Sequence, residues 1–237
     1  MSLEKETYIV DKVIEEAKDI VTLCFVPENG KKMVFDAGQF LRVDLVDNPN
    51  ELSNKPYSIS STPKDSFLSI SVKKIGEFSG ALHELKVGDK VEISGPFGSM
   101  ATQDTMEKIV FIAGGIGIAP FYSMIKNLHD RGETDKEIYL FYSNKTKEDV
   151  AFLEQLKKMS EEWSGLHVVH ILTQEKDKVD GVGEYNRIDI DLLKKYVRDF
   201  GAQNYFLCGS VPFVTGVSKI LEAEKINEEK IFSELFY

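Results

Sequence analysis

The 237-residue sequence predicts a two-domain protein, with a six-stranded antiparallel β-barrel over residues 1–103 and an α/β domain over residues 104–237. Two observations lead to this fold class. Up to the segment "GPFGSM", apolar and polar residues alternate in short runs, as in half-buried strands. Beyond that segment, apolar runs alternate with amphipathic helical segments, which predicts a parallel sheet with helices on both faces.

The first domain contains six strand-like runs divided by turn residues. They are "TYIVDKVIEE", "DIVTLCFVPE", "GQFLRVDLV", "KPYSISS", "FLSISVKK" and "DKVEISG". Short strands at this spacing are typical of a small antiparallel barrel or sandwich, and we predict the barrel. One short helix fits residues 80–85, with Ser79 placed to cap its N-terminus.

The second domain contains four strand–helix units. The predicted strands are "KIVFIA", "EIYLFYS", "LHVVHILT" and "NYFLCGS". The helices that follow them are predicted within "GIAPFYSMIKNLHDRG", "EDVAFLEQLKKM", "DIDLLKKYVRDF" and "VPFVTGVSKILEAE". Consecutive units of this kind connect by right-handed crossovers, so their strands are expected to be parallel. An aromatic tail, "SELFY", follows the last unit.

Composition argues against several classes of function. The formal charge of −10 is spread over the chain, so neither domain is expected to bind nucleic acid. The two cysteines, Cys24 and Cys208, form no CxxC pair and the four histidines are scattered, so no metal or iron–sulfur site is expected. The sequence shows no N-terminal apolar region and no run of about 18 apolar residues, so we expect a cytoplasmic protein without a membrane span.

A glycine-rich loop, "FIAGGIGIAPF", is the first candidate binding element. Gly114, Gly115 and Gly117 separate a strand that ends at Ala113 from a helix with Pro120 in its first turn. Glycines expose bare N–H groups, and a helix N-terminus favours negative charge. The pattern predicts binding of a nucleotide phosphate, and a turn that merely requires glycine is the alternative.

The loop departs from the dinucleotide fingerprint in two ways. Pro120 replaces its third glycine, and no acidic residue ends the next strand to hold a ribose. Instead that strand ends at Ser143, Asn144 and Lys145. The two neutral side chains could hold a ribose diol, while Lys145 could meet a 2′-phosphate or be a solvated loop lysine. NADH and NADPH both stay open.

Five segments together resemble one known family. In order they are "KPYSISS", "GEFS", "GGIGIAP", "YFLCGS" and "SELFY". The chain resembles the ferredoxin–NADP reductase superfamily along nearly its whole length. The resemblance implies a flavin-binding β-barrel followed by a NAD(P)-binding α/β domain, which agrees with the two domains predicted above.

"KPYS" is similar to the family's Arg-x-Tyr-Ser/Thr flavin motif. The resemblance implies that Tyr57 lies against the flavin ring and that Ser58 hydrogen-bonds near its reactive nitrogen. Lys55 would pair with a flavin phosphate, and Pro56 would hold Tyr57 outward. A flat aromatic side chain supplies stacking area at little entropic cost.

Further roles follow from the same resemblance. Gly76 and Ser79 of "GEFS" would hold the pyrophosphate, which favours FAD over FMN. Cys208 and Gly209 would lie beside the nicotinamide. The tail would bring an acid and two aromatic rings back to the flavin, from Glu234, Phe236 and Tyr237. The residues expected to act at the reacting rings are Tyr57, Ser58, Cys208 and Glu234.

Two positions depart from the family's pattern. Lys55 stands where the family usually has Arg, so the bidentate fork that suits phosphate is absent. The chain has 25 lysines and four arginines, so a general preference for Lys accounts for the exchange. Ile116 stands where many relatives have Thr, so a hydroxyl contact to the dinucleotide is absent.

The sequence therefore predicts an FAD-dependent NAD(P)H oxidoreductase. Hydride would pass from NADH or NADPH to the flavin, and electrons would leave to a separate acceptor: an iron–sulfur protein, a flavodoxin, a haem protein or a small molecule. Two alternatives stay open. One is a non-catalytic electron-transfer or regulatory subunit of a larger complex, and the other is a flavin-free nucleotide-binding module.

Overall fold

The computed structural model describes residues 5–46, 52, 55–177 and 183–236. Tyr237, expected at the flavin, lies outside the described residues. The N-terminal sheet has six strands: β1 (Glu6–Ala17), β2 (Ile20–Pro27), β3 (Phe40–Leu45), β4 (Pro56–Ser58), β5 (Leu68–Lys73) and β6 (Lys90–Phe97). A short helix, α1 (Glu77–His83), lies between β5 and β6.

This sheet closes into a barrel. Its strand order is β4-β3-β6-β1-β2-β5, and all its paired neighbours are antiparallel. The two outer strands meet through a bridge between Ile59 and Ile70. Alternate residues point inward, as Leu41 and Val43 of β3 show, and both are fully buried. The predicted six-stranded barrel is confirmed.

The C-terminal sheet has five strands: β7 (Lys108–Gly114), β8 (Glu137–Asn144), β9 (Leu166–Leu172), β10 (Asn204–Ser210) and β11 (Ile231–Phe236). Four helices accompany them: α2 (Ile118–Arg131), α3 (Leu153–Glu162), α4 (Ile190–Tyr196) and α5 (Val211–Ala223). The strand order is β11-β10-β7-β8-β9, and every pairing is parallel.

Two apolar layers cover the two faces of this sheet. On one face Phe111 of β7 packs in the same core as α2 and α3. On the other face Val110 and Ile112 pack with α4 and α5. The predicted parallel sheet with helices on both faces is thus confirmed. Among the described residues no helix is both long and apolar enough to cross a membrane.

Three element assignments from the sequence were wrong. The aromatic tail is not a tail but β11, which pairs with β10 at the sheet edge. Helix α1 begins at Glu77, with Gly76 as its N-cap, so Ser79 lies inside the helix. Helix α3 omits the first residues of the predicted segment "EDVAFLEQLKKM" and begins at Leu153, because Phe152 has a left-handed φ of 57° that interrupts the helical path.

Candidate active site

A cavity of about 400 Å³ lies between the barrel and the α/β domain. Its barrel wall is formed by residues of β4, β5 and the start of α1. Strand β4 pairs with β3, with Tyr57 opposite Leu41. Because Pro56 has no N–H, an edge position such as this suits it. The "KPYS" segment is therefore placed along the cavity wall.

Tyr57 presents its ring to this cavity. The ring is half-buried and stacks on Phe78 of α1, with ring centroids 6.4 Å apart and an interplanar angle of 24°. Burial raises the pKa of Tyr57 to about 12, so the phenol stays neutral at physiological pH. Lys55 is exposed at the same cavity. A flat neutral ring beside a lysine suits a ligand that has an aromatic part and an anionic part.

Ser58 supplies the most specific sign of a ligand. The residue is 4% exposed and lines the cavity, yet its Oγ has no hydrogen-bond partner among the residues that the structure describes. A buried hydroxyl without a partner costs roughly 1–3 kcal/mol. A ligand with a hydrogen-bonding edge next to Ser58 would remove that cost.

The start of α1 is shaped by Ser79. Its Oγ accepts hydrogen bonds from the backbone N–H groups of Ile75 and Gly76, both at 2.9 Å, and donates to the carbonyl of Gly76 at 3.0 Å. These three bonds use the full capacity of a hydroxyl. A Cβ added at Gly76 would meet no atom within 4 Å, so this backbone lies open to a ligand. Ser79 thus holds the turn in shape, and a direct phosphate contact from it stays a prediction.

The opposite wall comes from the α/β domain. Ile116 and Ala119, at and after the glycine loop, face the cavity together with Leu235 and Phe236 of β11. Parallel pairing with β10 places Phe236 opposite Ser210, at the carboxyl end of the sheet. Open α/β sheets bind ligands at that end. Ile116 therefore contributes an apolar contact where a hydroxyl would be expected.

Each glycine of the loop has its own structural requirement. Gly115 has a φ of +55° and open space around it. A Cβ at Gly117 would lie 2.3 Å from the carbonyl oxygen of Cys208, so β10 and the loop pack backbone to backbone. Gly114 and Gly209 lie under the ring of Phe213, where a Cβ would come within 2.9 Å and 2.8 Å of ring atoms. Pro120 is buried in the first turn of α2.

The residues expected to hold a ribose lie beside this loop. Ser143 is opposite Gly114 in the parallel β7–β8 pair. Asn144 is buried at the end of β8, and Lys145 follows it as an exposed residue. The three residues therefore lie at the same sheet edge as the glycine loop. Their contacts to a dinucleotide stay predictions.

Cys208 and Glu234 lie away from the walls of the main cavity. Cys208 is fully buried in the core under α2, and burial raises the pKa of its thiol well above the ordinary 9.0. Glu234 is its register partner on β11 and lines a second cavity of about 230 Å³. Burial raises the pKa of Glu234 to about 7. Of the residues expected to react, Tyr57 and Ser58 therefore lie on one cavity wall, Cys208 lies in the core and Glu234 lies at the second cavity.

The sequence reasoning missed several lining residues. Ser71 and Lys73 lie on one face of β5, and Ile75 and Phe78 flank Gly76. The alternation of β5 could have placed Ser71 and Lys73 on a common face. Their position beside β4 depends on barrel closure through Ile59, which no local pattern shows.

Comparisons with known proteins agree with this geometry. Residues 7–101 match the family model described as "Oxidoreductase FAD-binding domain", and residues 111–219 match "Oxidoreductase NAD-binding domain". The chain is 29% identical to a flavohemoprotein of Bacillus subtilis over 241 residues, covering 98% of the chain and 59% of that protein. It is 25% identical to "Propane 2-monooxygenase, reductase component" of Rhodococcus jostii, covering 96% of the chain and 62% of that protein. The chain thus spans about three-fifths of these curated relatives.

A solved structure shows the same fold. It is the flavohem-like FAD/NAD-binding domain of nitric oxide dioxygenase from Vibrio cholerae, with a TM-score of 0.87, 20% identity and 98% coverage of both chains. The fold, the cavity between the domains and the two family matches define a two-domain oxidoreductase that binds FAD and a nicotinamide dinucleotide. The chain therefore contains the FAD-binding and NAD-binding oxidoreductase domains that its resemblance to the ferredoxin–NADP reductase superfamily predicted.

The cavity fits the flavin part of FAD. Its volume of about 400 Å³ lies within the range of small-molecule sites. It combines an aromatic face at Tyr57, an unpartnered hydroxyl at Ser58 among the described residues and open backbone at Gly76. FAD, expected from "GEFS", is confirmed as the cofactor of the matched domain.

Proposed function

We propose that this chain is an FAD-dependent reductase that takes hydride from NADH or NADPH and passes electrons to a separate acceptor. The cavity between the domains is the observation that carries the proposal. One of its walls belongs to the FAD-binding domain, and the other belongs to the NAD-binding domain and its C-terminal strand. A flavin held there would contact residues of both domains. When bound, the flavin supplies the hydride acceptance and electron release.

In this proposal the chain's own residues bind and orient. Tyr57 and Phe236 lie on opposite walls and offer aromatic surface to a flat ring. Ser58 supplies a hydrogen bond, and Lys55 supplies positive charge for a phosphate. The apolar residues Ile116 and Ala119 exclude water from the space between the walls. Orientation of two reacting rings accounts for much of the rate of such a reaction.

The identity of the acceptor rests on the relatives. One relative is named the reductase component of a monooxygenase. This name supports a protein acceptor, and we propose an oxygenase component or an electron carrier that serves one. An iron–sulfur protein, a flavodoxin, a haem protein and a small molecule are the chemical classes to be compared. A cytoplasmic location is part of the same proposal.

An absorption spectrum tests the function directly. The purified chain, incubated with FAD and freed of excess cofactor, is expected to show flavin bands that bleach when NADH or NADPH is added without oxygen. The ratio of the two bleaching rates gives the coenzyme preference. No flavin bands would favour the flavin-free module. Flavin bands that neither coenzyme bleaches would favour the non-catalytic subunit.

Tyr57 tests the cavity as the flavin site. Tyr57→Ala removes the ring that stacks on Phe78, and we expect flavin affinity to fall at least tenfold, because stacking and burial of one ring contribute about 1.5–3 kcal/mol. Tyr57→Phe keeps the ring and is the matched control, with affinity expected within about threefold of the parent. Equal affinity in all three proteins would place the flavin elsewhere.

A further inference from the structure

Seven polar residues outside the cavity join the barrel to α2 among the described residues, and we call them the interdomain cluster. Four lie in the loop between β4 and β5, and three lie on α2: Ser61, Thr62, Lys64, Asp65, Ser123, Lys126 and Asp130. None of them lines the main cavity among the described residues. The cluster therefore contacts both domains without belonging to the walls of the cofactor site.

The contacts of the cluster are close and partly buried. The hydroxyl of Ser123, a fully buried residue, donates to the carbonyl of Ser61 at 2.5 Å. The ammonium of Lys126 lies 3.1 Å from Asp65 and 2.6 Å from Asp130. These contacts give the barrel loop both a buried hydrogen bond and a shielded ion pair to α2.

Asp65 is itself held in place within its loop. Its second carboxylate oxygen accepts the backbone N–H of Thr62 at 2.7 Å, and its carbonyl accepts from Lys32. The side chains of Lys126 and Asp65 are 27% and 19% exposed, so solvent screens the pair less than a fully exposed one. These contacts hold the β4–β5 loop in one conformation, so its ion pair with Lys126 can fix the position of α2.

Each side of the cluster is connected through the backbone to one wall of the cavity. The β4–β5 loop continues from Tyr57 and Ser58 through the Ile59–Ile70 bridge that closes the barrel. On the other side, α2 runs back from Lys126 to Ala119 at the cavity, about 10 Å along a rigid helix. A movement of α2 against the loop would change the distance between the two walls.

We propose that Ser123 and Lys126 are positioning residues for the redox reaction. They hold the N-terminal end of α2, and with it the glycine loop, at the separation from Tyr57 and Ser58 that hydride transfer requires. This inference rests on the proposed function. A misplacement of 1 Å at a reacting pair can lower a rate by about 100-fold, so small shifts of α2 are sufficient.

The test uses the chain loaded with FAD and four variants. Lys126→Met and Ser123→Ala each remove one link, and Lys126→Arg keeps the charge. Lys158→Met is the control, because Lys158 forms an i,i+4 ion pair within α3, 3.8 Å from Glu162, and its side chain is 75% exposed. Four quantities are measured: FAD affinity, NAD⁺ affinity, the anaerobic rate of flavin reduction by NADH, and the long-wavelength absorbance that reports contact between nicotinamide and flavin.

We expect Lys126→Met and Ser123→Ala to reduce flavin about tenfold more slowly and to show a weaker long-wavelength band, with both affinities within about threefold of the parent. Lys126→Arg should recover most of the rate, and Lys158→Met should match the parent. An unchanged rate in Lys126→Met would overturn the inference, as would a loss of FAD or NAD⁺ affinity large enough to explain the slower rate.

Lys126 is part-exposed, so its variants are expected to fold even if Ser123→Ala does not. A parent chain that binds no FAD would instead refute the proposed function, and it is recognised before any variant is compared.

Discussion

Two side chains that line cavities each bury a polar atom without a hydrogen-bond partner among the described residues: Ser58 buries its Oγ, and Glu234 buries one carboxylate oxygen. Most buried polar atoms in folded proteins are paired, so each exception requires a reason. For Ser58 the reason we propose is the flavin. For Glu234 burial has a measurable consequence of its own.

Glu234 should make stability depend on pH near neutrality. Burial raises the pKa of its carboxyl from the ordinary 4.5 to about 7 in the folded chain. Between these values the folded state keeps a proton that the unfolded state releases, so the free energy of unfolding falls as pH rises through this window. Glu234→Gln has no carboxyl to ionise. We therefore expect its free energy of unfolding, relative to that of the parent, to increase by about 1–2 kcal/mol as pH rises from 4.5 to 8.

Urea unfolding of both proteins at several pH values measures this difference. A difference that stays constant from pH 4.5 to pH 8 would show that the carboxyl of Glu234 titrates alike in the folded and unfolded chains. The explanation of Glu234 as a buried acid would then be wrong.

At the level of secondary-structure elements, the close contact between the glycine loop and β10 restricts which side chains fit in the loop. Gly117 packs against the backbone carbonyl of Cys208, and a Cβ there would lie 2.3 Å from that oxygen. Backbone atoms of a central strand cannot move aside as the end of a flexible side chain can. Glycine at this position is therefore required by packing, whatever the loop binds.

Gly117→Ala is expected to lower the free energy of unfolding by about 2–3 kcal/mol and to weaken NAD⁺ binding, because the loop must shift to admit the methyl group. Gly216→Ala is the matched control, since Gly216 lies within α5 and a Cβ there would meet no atom within 4 Å. That variant should gain about 0.5–1 kcal/mol from helix propensity. Urea unfolding and calorimetric titration with NAD⁺ distinguish the two, and equal effects of both substitutions would contradict the packing argument.

At the scale of the whole molecule, polar contacts between the domains hold the cavity walls together. Lys73, which lines the cavity, lies 3.4 Å from Asp149 of the α/β domain. Burial alone would raise the pKa of Asp149, but hydrogen bonds from Thr146 and the ammonium of Lys73 lower it below the ordinary 3.8. The stability that Asp149 contributes is therefore complete above pH 3.8 and is lost as pH falls through the lower folded value.

A double-mutant cycle measures how strongly this contact joins the domains. We expect a coupling energy of about 1 kcal/mol between Lys73→Met and Asp149→Asn at pH 7, because the two side chains are only 27% and 15% exposed. Lys18 and Glu148 form a second interdomain pair at 3.6 Å whose side chains are 61% and 75% exposed. Their coupling should stay below about 0.5 kcal/mol. A larger coupling for the exposed pair would mean that burial does not govern these contacts.

The amino-acid sequence was sufficient to predict the fold class and most of the cofactor chemistry. Alternation at period two and then strand–helix alternation predicted both sheets, because these periods follow from backbone geometry alone. Tyr57, Ser58 and Gly76 were predicted at the site and lie on one cavity wall, because short local motifs carry them. The boundary near residue 103 stays a prediction.

Which distant residues share the site depends on how the two sheets assemble. Ile116, Lys73 and Phe236 meet at one cavity only because the barrel closes and β11 joins the parallel sheet. Cys208 lies in the core and Glu234 lies at a second cavity, and their expected roles at the reacting rings stay predictions. A local sequence pattern predicts how one segment folds. The meeting of residues at one cavity depends instead on contacts between segments far apart in the chain, and no single segment encodes those contacts.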